Sequence, residues 1–164
     1  LDNTRLANTK LTGVTSVGVT RTPATISTDW NIVSTYLIGP GANLAGANLT
    51  RADLSDTHLA EANLTGANLA SANLTGASLR NANLTRADLV EANLTDATVV
   101  NANLTGANLV GADVTRAVLT LANLTDADLT RANLTDVVSG QIRGIPAHLP
   151  VGWNLVDGVL TQIS

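Results

Sequence analysis

The chain has 164 residues, 45% of them apolar, a formal net charge of −4, and no Cys, Met or Phe. Without Cys there are no disulfides and no thiolate-held metal; the modest acidic balance gives no nucleic-acid footprint; and no apolar run reaches the ~18 residues of a membrane helix. With one Tyr and two Trp, the core must be assembled from Leu, Ala and Val, so it is regular and repeated rather than the mixture of large and small side chains that usually fills an interior.

In chain order, residues 1–13 carry Leu1, Leu6 and Leu11 at five-residue spacing and read as the end of a preceding repeat block. Residues 14–41 change character, with Pro23, Trp30, Tyr36 and Pro40 among Val and Ile. Residues 42–136 are nineteen uninterrupted five-residue units of the form Ala-Asn/Asp-Leu-Thr-x. Their central position is Leu seventeen times and Val at Val99 and Val114, and the position two before it is Ala in all units except at Thr57. Residues 137–164 repeat the punctuating text: Ser16, Pro23, Ala24, Trp30, Asn31, Val33 and Leu37 recur as Ser139, Pro146, Ala147, Trp153, Asn154, Val156 and Leu160, all offset by 123.

A helix needs apolar residues at a spacing of 3.6 and a strand at 2.0, and a period of five fits neither. Asn or Asp in nearly every unit also disfavours helix, because these side chains compete for backbone groups. The pattern suits a solenoid in which each unit makes one short extended side and a corner. Leu and Ala, two apart, then face inward and the other three residues face water. Ala is required beside Leu because the bore is narrow.

Units such as Ala47-Asn48-Leu49-Thr50-Arg51 and Ala102-Asn103-Leu104-Thr105-Gly106 resemble the pentapeptide repeat family, and the resemblance covers residues 42–136 without a gap. It implies an all-β fold, a right-handed quadrilateral β-helix with about twenty residues per coil, and a bacterial source. The nineteen units would then be roughly 23 Å long at the usual strand spacing. Leu44, Leu64, Leu84, Leu104 and Leu124 would stack in one core column beside Ala62, Ala82 and Ala102. Asn43, Asn63, Asn83, Asn103 and Asn123 would form an outer Asn ladder.

The punctuating segments invite two readings. Large and small residues exchange places there (Val14 and Val137 for Ala, Ser16 and Ser139 for Leu, Ile142 with Gly144), which roughly conserves interior volume. They would then continue the solenoid, with bulges near Trp30 and Trp153 and Arg21 pointing inward, to about eight coils. On this preferred reading Leu11 to Leu134 spans 24 units, six whole coils, and tandem 123-residue units stay face-aligned. Alternatively, 14–41 and 137–164 are loops or caps.

On a solenoid, function comes from outward residues. One face is irregular: it holds His58, Arg80, Val100, Val118 and Leu121, and turns apolar toward the C-terminus. Exposed apolar patches can mark contacts, so these five are the candidate protein-contact residues. Some relatives mimic duplex DNA and bind DNA gyrase. DNA carries one charge per ~1.7 Å of axis, so ~23 Å of mimic needs roughly 14, whereas residues 42–136 hold ten acidic residues against five Arg.

No catalytic constellation is visible. His58 and His148 have no metal-ligand spacing, and no metal, cofactor or membrane span is expected. The expected function is a non-catalytic scaffold, spacer or protein-interaction module within a longer tandem-repeat protein, whose partner is another protein or a second copy meeting it through the solenoid ends or the irregular face. The alternative is a binder that mimics DNA on a type II topoisomerase. No signal peptide is visible, and cytoplasmic and secreted locations both stay open.

Overall fold

A computed structural model describes residues 6, 10–15, 19 and 25–163. The expectations placed on Leu1, Ser16, Arg21, Pro23, Ala24 and Ser164 lie outside them. The fold is all-β. Its wall is a ladder of parallel bridges between residues twenty apart, in four columns that begin at Asn43, Asn48, Asp53 and His58; these columns are called sides 1 to 4. Side 1 climbs through Asn63, Asn83, Asn103 and Asn123 to Arg143. Side 4 climbs through Ser78, Thr98 and Val118 to Val138.

Five residues make one side because each unit closes with a tight turn. The Ala N–H donates to the carbonyl of the Leu three residues before it, as Ala47 N does to Leu44 O at 3.0 Å. The fifth residue has positive φ whether or not it is glycine, from Arg51 at 56° to Leu121 at 63°. A positive φ at the third position of such a turn is the type II geometry. Between corners, each central N–H reaches the next coil, as Leu44 N does to Asn63 O at 2.7 Å.

The expected inward set is the core. Leu44, Leu64, Leu84, Leu104 and Leu124 are at most 1% exposed, as are Ala62, Ala82 and Ala102. Burying one Leu contributes about 1.5–3 kcal/mol, so the stacked Leu columns supply most of the driving force. Thr57, in an Ala position, is also buried, and its hydroxyl donates to Leu54 O at 2.6 Å, which satisfies the extra polar group.

The punctuating segments contain hairpins where bulges were expected. Strands β1 (Asn31–Val33) and β2 (Tyr36–Ile38) pair antiparallel across Ser34 and Thr35, both at positive φ. Strands β3 (Trp153–Val156) and β4 (Val159–Gln162) do the same across Asp157 and Gly158. Two consecutive residues of positive φ match the right-handed twist of the flanking strands. The register recurs at the 123-residue offset, Ile32 opposite Leu37 and Leu155 opposite Leu160.

Each hairpin lies across the bore. Near its base the first carries Asp29 beside His58 of side 4; at its tip Val19 N donates to Thr35 O at 2.9 Å, and Asn48 N on side 2 donates to the Tyr36 hydroxyl at 3.2 Å. The second repeats the tip contact, Ile142 N to Gly158 O at 2.9 Å. Its Leu160 N donates to the Ser139 hydroxyl, so Ser in a Leu position anchors the hairpin. Trp30 is accommodated without a bulge in the wall: its indole lies where a side chain on Gly39 would be, 2.2 Å from an ideal Cβ there.

The face-aligned expectation is corrected. Thr15 bridges Asn43 on side 1, 28 residues on instead of twenty, and this coil holds the eight-residue hairpin Asn31–Ile38. Val138, the counterpart of Thr15, bridges Val118 on side 4. One side is lost because Ile32 and Leu37, read as inward residues of successive sides, face each other as a cross-strand pair. The two punctuating segments are therefore offset by a quarter turn.

Candidate interaction surface

Sides 1 and 3 spend many of their polar side chains on bonds within the wall. On side 1 the Asn63 Oδ1 accepts from Thr65 N at 3.2 Å and from the Thr65 hydroxyl at 2.7 Å. Such local bonds fix an Asx-turn at each corner. The amide nitrogen then reaches one coil back: Asn103 Nδ2 donates to Thr85 Oγ1 and Asn123 Nδ2 to Thr105 Oγ1, each at 3.0 Å. Asn63 Nδ2 instead donates to Asn43 Oδ1 at 3.1 Å, where the unit has Ala45 and no hydroxyl. The column expected as an amide ladder thus runs partly through threonine hydroxyls. The Thr two places after each Asn was the available signal.

One Arg–Asp ion pair on the wall spans neighbouring coils. Arg116 grips Asp96 one coil below with two bonds of 2.7 and 2.6 Å, and this holds the Asp96 carboxyl below its ordinary value near 3.8. The Thr130 hydroxyl and N–H lower Asp128 in the same sense, with His148 above it adding to the effect. Ser55 lowers Asp53 likewise.

Side 4 lacks the Asn-Thr relay. His58 stands at its lower end, its Nδ1 3.0 Å from Asp29 Oδ1, and Arg80 is exposed one coil above. Val100 and Val118 are half-buried, and Leu121 is 37% exposed in a left-handed corner. The three apolar residues gather at the C-terminal end of the side, whereas His58 lies three bridges below Val118, roughly 14 Å at strand spacing. These five residues do not converge on one site.

Sequence reasoning missed two participants. Val138 continues the column above Val118 and is 52% exposed; the twenty-residue spacing could have found it. Arg143 reaches down two coils, Nε to Leu121 O at 3.1 Å and Nη2 to Asn101 Oδ1 at 2.9 Å, while Asn101 donates to Asn81 at 2.8 Å. It flanks the apolar patch with one fixed cation. Among the described residues there is no pocket, no cluster of metal-ligating side chains, and no helix long and apolar enough to cross a membrane.

The family model for pentapeptide repeats matches residues 41–76, 62–99 and 100–136, with eight copies. Among solved structures, the chain is similar to HetL, a pentapeptide repeat protein involved in heterocyst differentiation regulation in Nostoc sp. strain PCC 7120. Identity is 40% over 60% of this chain and 49% of HetL, so the match spans about half of that protein, with a TM-score of 0.49. It is similar also to alr5209, another Nostoc pentapeptide repeat protein, at 32% identity over 57% of this chain and 78% of that one, TM-score 0.54. QnrB1, a plasmid-mediated fluoroquinolone resistance protein, aligns at 17% identity over 62% of this chain and 55% of its own, TM-score 0.42. A search of curated protein sequences gave no match. With its repeat units, its twenty-residue bridge ladder and the family model all covering the same stretch, the chain belongs to the pentapeptide repeat family.

Proposed function

We propose that this chain is a non-catalytic spacer and protein-interaction module, a right-handed four-sided β-helix acting as one unit of a tandem 123-residue array. The observation that carries the reading is the wall itself. On sides 1 and 3 most Thr hydroxyls bond to the Asn or Asp of their own unit and several amides bond one coil back, so much of the polar surface there is spent on the wall itself. Partner contact falls to the apolar upper end of side 4, where Val118, Val138 and Leu121 meet. Mimicry of DNA is the competing reading, and the charges weigh against it. Ten acidic residues against five Arg occupy residues 42–136, and one of those acids, Asp96, is neutralised by Arg116. A DNA-gyrase supercoiling assay separates the two. The spacer reading expects no effect at any protein concentration; dose-dependent inhibition overturns it.

A further inference from the structure

At the upper corner between sides 4 and 1 the wall changes its chemistry. Side 1 climbs through Asn103 and Asn123, each with a Thr two places on. In the next coil Arg143 bridges Asn123 and takes the Asn position. Ile145, whose carbonyl accepts from Asp126 N at 2.9 Å, takes the Thr position. On side 4, Ser78 and Thr98 give way to Val118 and Val138 in the same column. Leu121 stands at the corner itself. Leu121, Val138 and Ile145 are 37%, 52% and 79% exposed. Their place in the ladder turns these side chains outward. Thr15, the counterpart of Val138 in the first segment, is exposed as well, although it bridges Asn43 and the wall continues above it.

Arg143 is held against this apolar surface. Its Nε donates to Leu121 O at 3.1 Å and its Nη2 to Asn101 Oδ1 at 2.9 Å, and Asn101 is itself tied to Asn81 at 2.8 Å. A guanidinium has more N–H donors than these two bonds use. Among the described residues no carboxylate pairs with Arg143; the ion pairs there join Arg116 to Asp96, His58 to Asp29 and His148 to Asp128. The charge is therefore fixed in place, unpaired, and bordered by apolar side chains. A guanidinium already held in one geometry gives up little further freedom on binding. Arg set in apolar surface is also the composition of interface anchors. Its natural complement is a carboxylate, which accepts short, charge-assisted bonds from the guanidinium.

We propose that this corner docks a protein segment that presents a carboxylate among apolar residues. The carboxylate accepts from the remaining N–H groups of Arg143, and its apolar neighbours cover Leu121, Val138 and Ile145, with Val118 at the edge. A basic segment would set like charges against each other. A wholly apolar one would bury the guanidinium without a counter-charge, which costs more than the apolar contact returns. The inference rests on the reading of the upper end of side 4 as the contact surface, and it names the chemistry of the partner. The gyrase assay tests the spacer reading independently.

Selection from a random peptide library on the full chain, after depletion on the Arg143→Gln chain, is the test. The surviving sequences should carry an Asp or Glu flanked by Leu, Ile or Val. A synthetic peptide of that kind should bind the unaltered chain at least about tenfold more tightly than it binds Arg143→Gln, the scale of a truncated Arg anchor. Its version with Gln for the acid should lose about as much. Val138→Thr with Ile145→Thr, which restores the residues of the first segment at Thr15 and Thr22, should also weaken binding; it stands in if Arg143→Gln loses its circular dichroism signal. Survivors without an acid, no survivors at all, a Gln peptide that binds equally, or a folded variant that binds undiminished overturns the proposal. So does self-association of the chain that Arg143→Gln abolishes, since that gives the corner to a second copy. Any of these, with gyrase unaffected, leaves the spacer reading in place.

Discussion

Replacing Ala92 by Leu tests how tightly the bore constrains the repeat. Ala92 is fully buried, and its backbone is held from both directions: Asn93 N donates to Ala72 O, and Asp113 N to Ala92 O, each at 2.9 Å. The wall cannot step outward at this point without stretching those bonds. Overpacking alone costs about 1–3 kcal/mol, and each weakened backbone bond adds about 1 kcal/mol. The expected loss is therefore about 3–5 kcal/mol, which for a chain of this length lowers Tm by roughly 10 °C. Thr95→Leu is the control. Thr95 is half-buried on the outside, and the bond formed there, from its N–H to Asn93 Oδ1 at 2.9 Å, survives the substitution. It should cost within about 0.5 kcal/mol. Thermal unfolding followed by circular dichroism reads both. Equal losses, or a larger loss for Thr95→Leu, would falsify the inward and outward assignment.

Gly39→Ala should expel the Trp30 indole, since the new methyl would meet the ring at 2.2 Å; the expected cost is about 3 kcal/mol, with a red shift of tryptophan emission as Trp30 joins the half-exposed Trp153. Emission and Tm both unchanged would show that the ring does not rest on Gly39. Acid should weaken the fold through Asp53, Asp96 and Asp128, all held below their ordinary value of 3.8. Stability from such groups is fully present above that value and is lost as pH falls through their lower folded values. The urea midpoint should accordingly be flat from neutral pH to ~5 and fall below ~4, less steeply in Asp96→Asn. An acid slope identical in that variant would assign the loss to other carboxylates.

Most of the wall could be read from residues alone. A five-residue period with inward Leu and Ala in nearly every unit leaves few ways to bury the apolar set, so the core residues named from sequence are all at most 1% exposed. The candidate contact residues were harder. His58, Arg80 and the Val100–Leu121 group share a side, but a column of twenty-residue steps says nothing of how far along the axis a site extends. Arg143, belonging to the irregular text, joins the surface only through a reach of 42 residues to Asn101.

The sequence by itself determined the inward and outward alternation, the Asn and Leu columns and the 123-residue duplication, because each is a matter of spacing along one chain. Only the tertiary structure decided what the punctuation does. Ile32 and Leu37 have the same five-residue spacing as wall residues, yet Ser34 and Thr35 take positive φ and fold them against each other. A local reversal and one more side of the wall read alike in sequence. The contacts that separate them, Val19 with Thr35 and Trp30 with Gly39, exist only once the hairpin crosses the bore. That crossing removes one side from the count and turns the second segment by a quarter of the coil.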